Sequence, residues 1–197
     1  MEQPTSTHDL LARIERGDES AFTPLFENYQ KRLALLIHYK LSAEMRGLAE
    51  VEDVLQETFI EAFRDLKQFR YQKPGGFLGW LSRIADHVIA DAARFHGRQK
   101  RRVDLERFRS EGNPDGPEPV DSATPSRLLA EKESLQALIQ KLDQLPEDYR
   151  RAILLAKVEG LSNAEMAEQL GRSREAAALL LHRAIKRFSK IQESETS

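Results

Sequence analysis

A chain of 197 residues, 40% apolar and 31% charged, can form one ordinary domain or two small ones and has enough apolar side chains for a core. It contains no cysteine, which excludes disulfides and thiolate metal sites and suits a reducing cytosol. Neither a run long enough to cross a bilayer nor a signal-peptide core is present, and the formal net charge is only −2, so neither membrane insertion nor a uniformly basic surface is expected.

Helical periodicity dominates the chain and no convincing period-two strand is found, so the expected fold is all-α. A short helix from Leu10 to Arg16 is stopped by Gly17, and a longer one runs from Asp18 to about Leu41, with Pro24 near its start. A third helix, Glu50 to Leu66, places Val51, Val54, Leu55, Thr58, Phe59, Ala62, Phe63 and Leu66 on one broad apolar face. Its far side carries Asp53, Gln56, Glu57 and Arg64 with Ile60 at the centre. From Leu48 to Leu66 six acids stand against Arg64 alone. An acidic helix face is commonly just solvated, but acids around one apolar anchor suit a protein partner better than DNA.

A loop with Pro74, Gly75 and Gly76 leads to a fourth helix, Phe77 to about Gly97, with a core stripe of Phe77, Leu81, Ile84, Val88, Ala92 and Phe95. Along one flank, within about 80° of rotation, run Trp80, Arg83, His87, Asp91, Arg94 and Arg98. Between Ala92 and Arg102 lie five bases, including Lys100 and Arg101, and no acid. An aromatic ring beside a basic edge can stack bases and neutralise phosphates together. The plainer alternative is that Trp80 is core and the arginines snorkel away from it.

Residues 103–125 hold four prolines, glycines and scattered acids with little apolar surface, and read as a flexible linker. Helices resume at Ser126 and break at Pro146 and Gly160. The expected architecture is therefore two small helical domains, 8–102 and 126–191, on a tether. In the second, Ser162 to Glu165 forms a capping box for a short helix ending at Gly171, and Ser173 caps the next. A turn of about three residues between helices is what a helix-turn-helix requires. Ala167 is small where the helices should cross, and Ala177, Leu181, Ala184 and Phe188 form the core stripe of the second helix. Glu175, His182, Arg183 and Lys186 project from the opposite side, toward a major groove if DNA is bound. From Gly171 to Lys190, six bases, among them Arg172, Arg174 and Arg187, face only Glu175. The competing description is an αα-hairpin with a solvated basic face. Ala178, Leu179 and Leu180 occupy the stretch where base-reading side chains are expected, and they cannot make bidentate bonds to a base. Leu179 lies near the middle of the polar face, suited to thymine methyls or to a protein.

Taken together, the segments resemble a bacterial sigma factor of the small two-domain extracytoplasmic-function group. Asp18 to Phe22 with Leu25, Phe26 and Tyr29 is similar to the family's opening helix, Glu52 to Phe59 to its polymerase-binding helix, and Phe77 to Ala85 to its promoter-melting helix. Leu145 to Arg150, then Glu159 to Ser162 with Glu165, Ala167 and Leu170, resembles its upstream-promoter domain. The resemblance implies a region 2-like domain over 8–102 and a region 4-like domain over 126–191. It implies docking of Asp53, Gln56, Glu57, Ile60 and Arg64 on the clamp coiled coil of the polymerase's largest subunit, and a contact with its flap. It implies capture of unstacked −10 bases by Arg70, Lys73, Phe77, Trp80, Arg83, His87, Arg94, Arg98, Lys100 and Arg101. The −35 duplex would meet Arg172, Ser173, Arg174, Glu175, Ala178, Leu179, His182, Arg183, Lys186 and Arg187. An anti-sigma factor is a candidate further partner; no cofactor, metal or covalent chemistry is implied, and the location is cytoplasmic.

Two departures stand out. His87 sits where the family often has an asparagine suited to a flipped base, which leaves the −10 base open and makes its recognition a candidate for pH sensitivity. Residues 178–180 are apolar where polar or basic ones are usual, so weak intrinsic −35 readout is expected. Two other classes compete: a helix-turn-helix regulator that binds an operator without polymerase, and a helical nucleic-acid enzyme. The first leaves the acidic helix and the Trp80 flank without a role. The second lacks a site, since the five histidines are scattered and no HExxH or phosphate-cradling glycine loop occurs.

Overall fold

A computed structural model of the chain describes residues 6–47, 49–70, 75–106 and 125–194, with 96–106 and 125–131 described in their helical backbone only. Among the described residues the regular structure is helical. Helix α1 (Thr7–Glu15) starts at Ser6, whose hydroxyl accepts from the Asp9 N–H, and ends before Gly17, whose φ of +88° an L side chain rarely adopts. Asp18 caps a 3₁₀ turn, Glu19–Ala21, that leads directly into α2 (Phe22–Lys40). Pro24 falls in the first turn of α2, where no intrahelical N–H is needed, so the helix is continuous. Helices α3 (Val51–Asp65) and α4 (Gly76–Glu106) complete the N-terminal half.

The C-terminal half comprises α5 (Pro125–Asp143), α6 (Glu147–Ile153), α7 (Asn163–Leu170) and α8 (Arg174–Ser194). Helix α6 does not simply stop at its end. It widens into a π-helical turn, Leu154–Val158, closed by the bond from the Glu159 N–H to the Leu154 carbonyl at 2.9 Å. The expected linker is helical at both margins, because Val103 to Glu106 continue α4 and Pro125 opens α5. Its stretch from 107 to 124 lies outside the described residues.

The two halves are packed on each other. A single core runs from Leu10, Leu25, Leu33, Phe77 and Leu81 through to Leu142, Leu145, Leu154 and Val158. The reason lies in α2, where Leu33, Ala34, Leu35, Leu36 and Ile37 are all buried. Five consecutive buried residues occupy every side of a helix, so α2 must be covered on two faces. Helices α3 and α4 cover one, and α5 with the π turn covers the other. A smaller cluster of Ala152, Leu155, Met166, Ala167 and Ala177 holds α6, α7 and α8 together.

Thr58 is the one polar residue in the middle of the α3 core face, and its hydroxyl donates to the Val54 carbonyl at 2.6 Å, which satisfies it internally. Two expected core residues are not core. Phe63 is 50% exposed, because it stands about 140° around α3 from Thr58, at the edge of the stripe. Phe95 is 59% exposed although it keeps the register of Phe77. Helix α4 is about 46 Å long against about 28 Å for α2 and 22 Å for α3, so its stripe continues past the core.

Candidate protein and nucleic-acid interfaces

The first surface is the outer face of α3. Asp53, Gln56, Glu57 and Arg64 are exposed, and Ile60 is 38% exposed among them. The acids at its first turn, Glu52 and Asp53, also complement the positive end of the helix dipole. Glu52 is bridged by Lys132 of α5 at 3.0 Å, so the C-terminal half touches one margin of this face. The ring of Phe63 lies 4.5 Å from that of Phe22, and Phe26 stacks on Phe59 at 4.8 Å. The apolar part of the surface is therefore larger than the lone Ile60 suggested.

The second surface is the flank of α4. Rings form a ladder from core to surface: Tyr29 meets Phe77 at 4.9 Å, Phe77 meets Phe69 at 5.2 Å, and Trp80 lies 5.0 Å from Phe69. Trp80 is half-buried, so it is both a core ring and the last rung. Phe77, expected among the DNA-contacting residues, is wholly buried under this ladder and has no surface to offer a base. Arg83 and His87 are exposed along the same edge, Arg94 is exposed and bridged to Asp91 at 3.2 Å, and Arg70 donates to the carbonyls of Lys67 and Phe69. Lys73 and the side chains of Arg98, Lys100 and Arg101 lie outside the described residues.

The third surface belongs to α7 and α8. The Ser162 hydroxyl accepts from the Glu165 N–H at 3.3 Å, and the Glu165 carboxylate accepts from the Ser162 N–H at 2.9 Å. Gly171, with φ +62°, closes α7, and the three-residue turn Gly171 to Ser173 hands over to α8. The Ser173 hydroxyl accepts from the Ala176 N–H at 3.2 Å. The Glu175 backbone N–H, and then Ser173, hold the Glu175 carboxyl below its ordinary pKa, so it stays charged beside the dipole. Ala177 and Ala184 are buried beneath, while Arg174, Glu175, His182, Arg183, Lys186 and Arg187 are exposed. Ala178 is only half-exposed, and Arg172 is tied to Asp148 at 2.6 Å.

Between the halves lies a seam that the sequence did not disclose. Arg32 of α2 donates twice to the Val158 carbonyl, its Nε at 3.1 Å, and so caps the π turn from the other half. The Tyr39 hydroxyl donates to Asp143 at 3.0 Å, Arg150 bridges the same carboxylate at 3.0 Å, and its guanidinium covers the Tyr39 ring. Burial, and then the charge of Arg46, push the pKa of His38 down, with Asp143 opposing and Arg150 assisting. Below the seam opens a cleft of about 920 Å³ lined by Gly75, Arg83, Asp86, Glu159, Gly160 and Glu165, among others. Burial raises the pKa of Glu159, Lys40 opposes that, and Asp86 adds to it. Gly75 approaches so closely that a Cβ there would sit 3.4 Å from the carbonyl oxygens of Glu159 and Gly160.

Among the described residues no group of three His, Asp or Glu side chains is placed to hold a metal ion, and no helix is long and apolar enough to cross a membrane. A family model described as "ECF sigma factor" matches residues 4–193. The ECF RNA polymerase sigma-E factor of Salmonella typhimurium (strain 14028s / SGSC 2262) is 31% identical over 167 residues, covering 85% of this chain and 84% of that one. The protein of the same name from Escherichia coli (strain K12) shares the same identity and coverage. A solved structure described as CnrH in complex with the cytosolic domain of CnrY is similar at 24% identity and a TM-score of 0.44, over 94% of this chain and 96% of that one.

Proposed function

Because the chain belongs to the ECF sigma factor family, and so directs transcription initiation with RNA polymerase, we propose that its three exposed faces divide that work among them. The α3 face of Asp53, Gln56, Glu57, Ile60 and Arg64 docks on the clamp coiled coil of the largest polymerase subunit. The α4 flank of Trp80, Arg83, His87 and Arg94 takes up the unstacked bases of the −10 element. Helix α8 enters the −35 duplex, and its half meets the polymerase flap. The observation that carries this reading is the segregation of charge on exposed surfaces. Acids surround Ile60 on α3, while Arg83 and Arg94, with Asp91 beside them, line the Trp80 edge of α4 and bases line the outside of α8. An acidic face repels DNA, so α3 is the surface left for a protein, and the two basic faces are left for DNA. The protein performs no bond chemistry in this role and works in the cytoplasm beside the polymerase. An anti-sigma factor is a further partner that the reading admits. Family membership disfavours an operator-binding regulator acting without polymerase.

The reading also requires the halves to part. Elements named −10 and −35 lie about 25 base pairs apart, or about 85 Å along B-form DNA at 3.4 Å per pair. A compact chain of this length has a radius of gyration of about 16 Å. In the packed arrangement the α4 flank and α8 cannot reach both elements at once, and Arg83 opens into the cleft against Glu159 and Glu165. Polymerase docking therefore competes with the seam.

The test is promoter-dependent run-off transcription with core polymerase and the full chain. Reversal of Asp53 and Glu57 to lysine is expected to abolish co-elution with core and the specific transcript. The thermal unfolding midpoint should hardly move, because both side chains are exposed. Retained co-elution would place the docking surface elsewhere.

A further inference from the structure

The outer face of α8 has a feature that phosphate binding does not use. Leu179 is 49% exposed and sits at the middle of that face. At 100° per residue, Lys186 falls about 20° from it, Glu175 and Arg183 about 40° to either side, and Ala176 and His182 about 60°. All five are exposed. Leu179 is thus an apolar side chain at the centre of a ring of charge. The core stripe of α8 runs on the other side, through Ala177, Ala184 and Ile191, so Leu179 stands outside it.

The ring of bases selects a polyanion as the occupant. Arg183, Lys186 and Arg187 are exposed there against Glu175, a charge pattern that favours a nucleic-acid duplex over an acid-poor protein surface. Ala176 beside Leu179 is short, and so is Ala178 on the preceding residue, so neither of these two side chains holds Leu179 away from base edges. A leucine has no donor or acceptor. In the major groove the apolar feature open to it is the C5-methyl group of thymine. We propose that Leu179 determines upstream-element specificity by packing on a thymine methyl, with Arg183 and Lys186 holding the flanking phosphates. Sequence is then read through a methyl contact where a hydrogen-bonding side chain would otherwise read it. The inference rests on the reading of α8 as the helix that enters the −35 duplex.

The experiment uses the full chain with core polymerase. Holoenzyme selects from a promoter library randomised in the upstream duplex, and each thymine of the selected element is then replaced singly by deoxyuridine. The swap removes one methyl group and leaves every hydrogen-bonding edge unchanged. At one position, or two adjacent ones, it is expected to weaken holoenzyme binding about four-fold. With Leu179→Ala holoenzyme the same swap should cost nothing, since the methyl has lost its partner. Uracil bound as well as thymine at every position overturns the proposal, and so does a penalty that persists in the alanine variant. A Leu179→Ala variant that instead loses retention on core polymerase, with uracil tolerated, assigns the side chain to a protein contact and also overturns it. In these three outcomes the role of α8 in promoter binding stands. If holoenzyme enriches no upstream sequence at all, that role falls and the inference falls with it.

Discussion

The N-terminal half packs with rings and long aliphatic side chains, whereas α6, α7 and α8 pack through a cluster in which alanines outnumber Leu155 and Met166. In the first, Tyr29, Phe77, Phe69 and Trp80 form a continuous ladder, so the ring nearest solvent is held by the ring at the centre of the core. In the second, Ala152, Ala167 and Ala177 let the helices approach closely, and Arg174, Arg183, Lys186 and Arg187 are exposed outside them. The edge of the first half proposed to meet DNA is an extension of its core. The outer face of the second is independent of its own. Surface changes on α8 should therefore alter DNA binding without altering stability, while changes near Trp80 should alter both.

The strongest way to break this comparison is Phe77→Ala. The ring is wholly buried, and its loss is expected to cost about 3–5 kcal/mol by chemical denaturation and to abolish promoter opening as Trp80 loses its support. Leu179→Ala should lie within about 0.5 kcal/mol of the parent chain in the same measurement. Comparable losses in the two variants would show that the halves are not built differently. A smaller effect is expected from Ala167→Leu, which forces a large side chain into the crossing of α7 and α8. Overpacking there should cost about 1–3 kcal/mol, read as a lowered denaturation midpoint. Full tolerance would mean that the small-residue packing is loose.

The smallest effect is a pH dependence at the seam. The folded pKa of His38 lies below its ordinary value of 6.5, so the unfolded chain binds the proton more readily. Its contribution to stability is fully present above about pH 6.5 and is lost as pH falls through the lowered folded value. Glu159 has the opposite sign. Its raised pKa contributes stability at low pH, and that is lost as pH rises through the window above 4.5. Denaturation midpoints followed from pH 7.5 to 5 should fall less steeply for His38→Gln than for the parent chain. Equal slopes would remove His38 from the seam's titration. These pH values are about the range in which the histidine charge changes.

Much of the site was legible from residue spacing. The capping box, the Gly171 turn and the Ser173 cap follow from local hydrogen bonding, and the exposure of Asp53, Glu57, His182 and Lys186 follows from the helical repeat. The errors came at edges. Phe63 and Phe95 fall in the expected apolar stripes, but periodicity gives the direction of a side chain, not how much of it is covered there. Phe77 was assigned to core and to DNA together, and its complete burial decides for core. The apolar run from Leu33 to Ile37 allows no solvent face, and so required a second layer over α2.

The helices, the α7 and α8 caps, the segregation of acids and bases onto separate faces, and the family follow from the amino-acid order alone. Each is a matter of neighbours within a few residues, or of pattern along the chain. That the halves share a core, that Arg32 caps the π turn at Val158, and that Tyr39, Asp143 and Arg150 form a seam emerges from the folded chain. The Arg32–Val158 and Tyr39–Asp143 contacts join residues more than a hundred positions apart in the chain. No local propensity encodes them, because they depend on which apolar surfaces remain uncovered once every helix has formed.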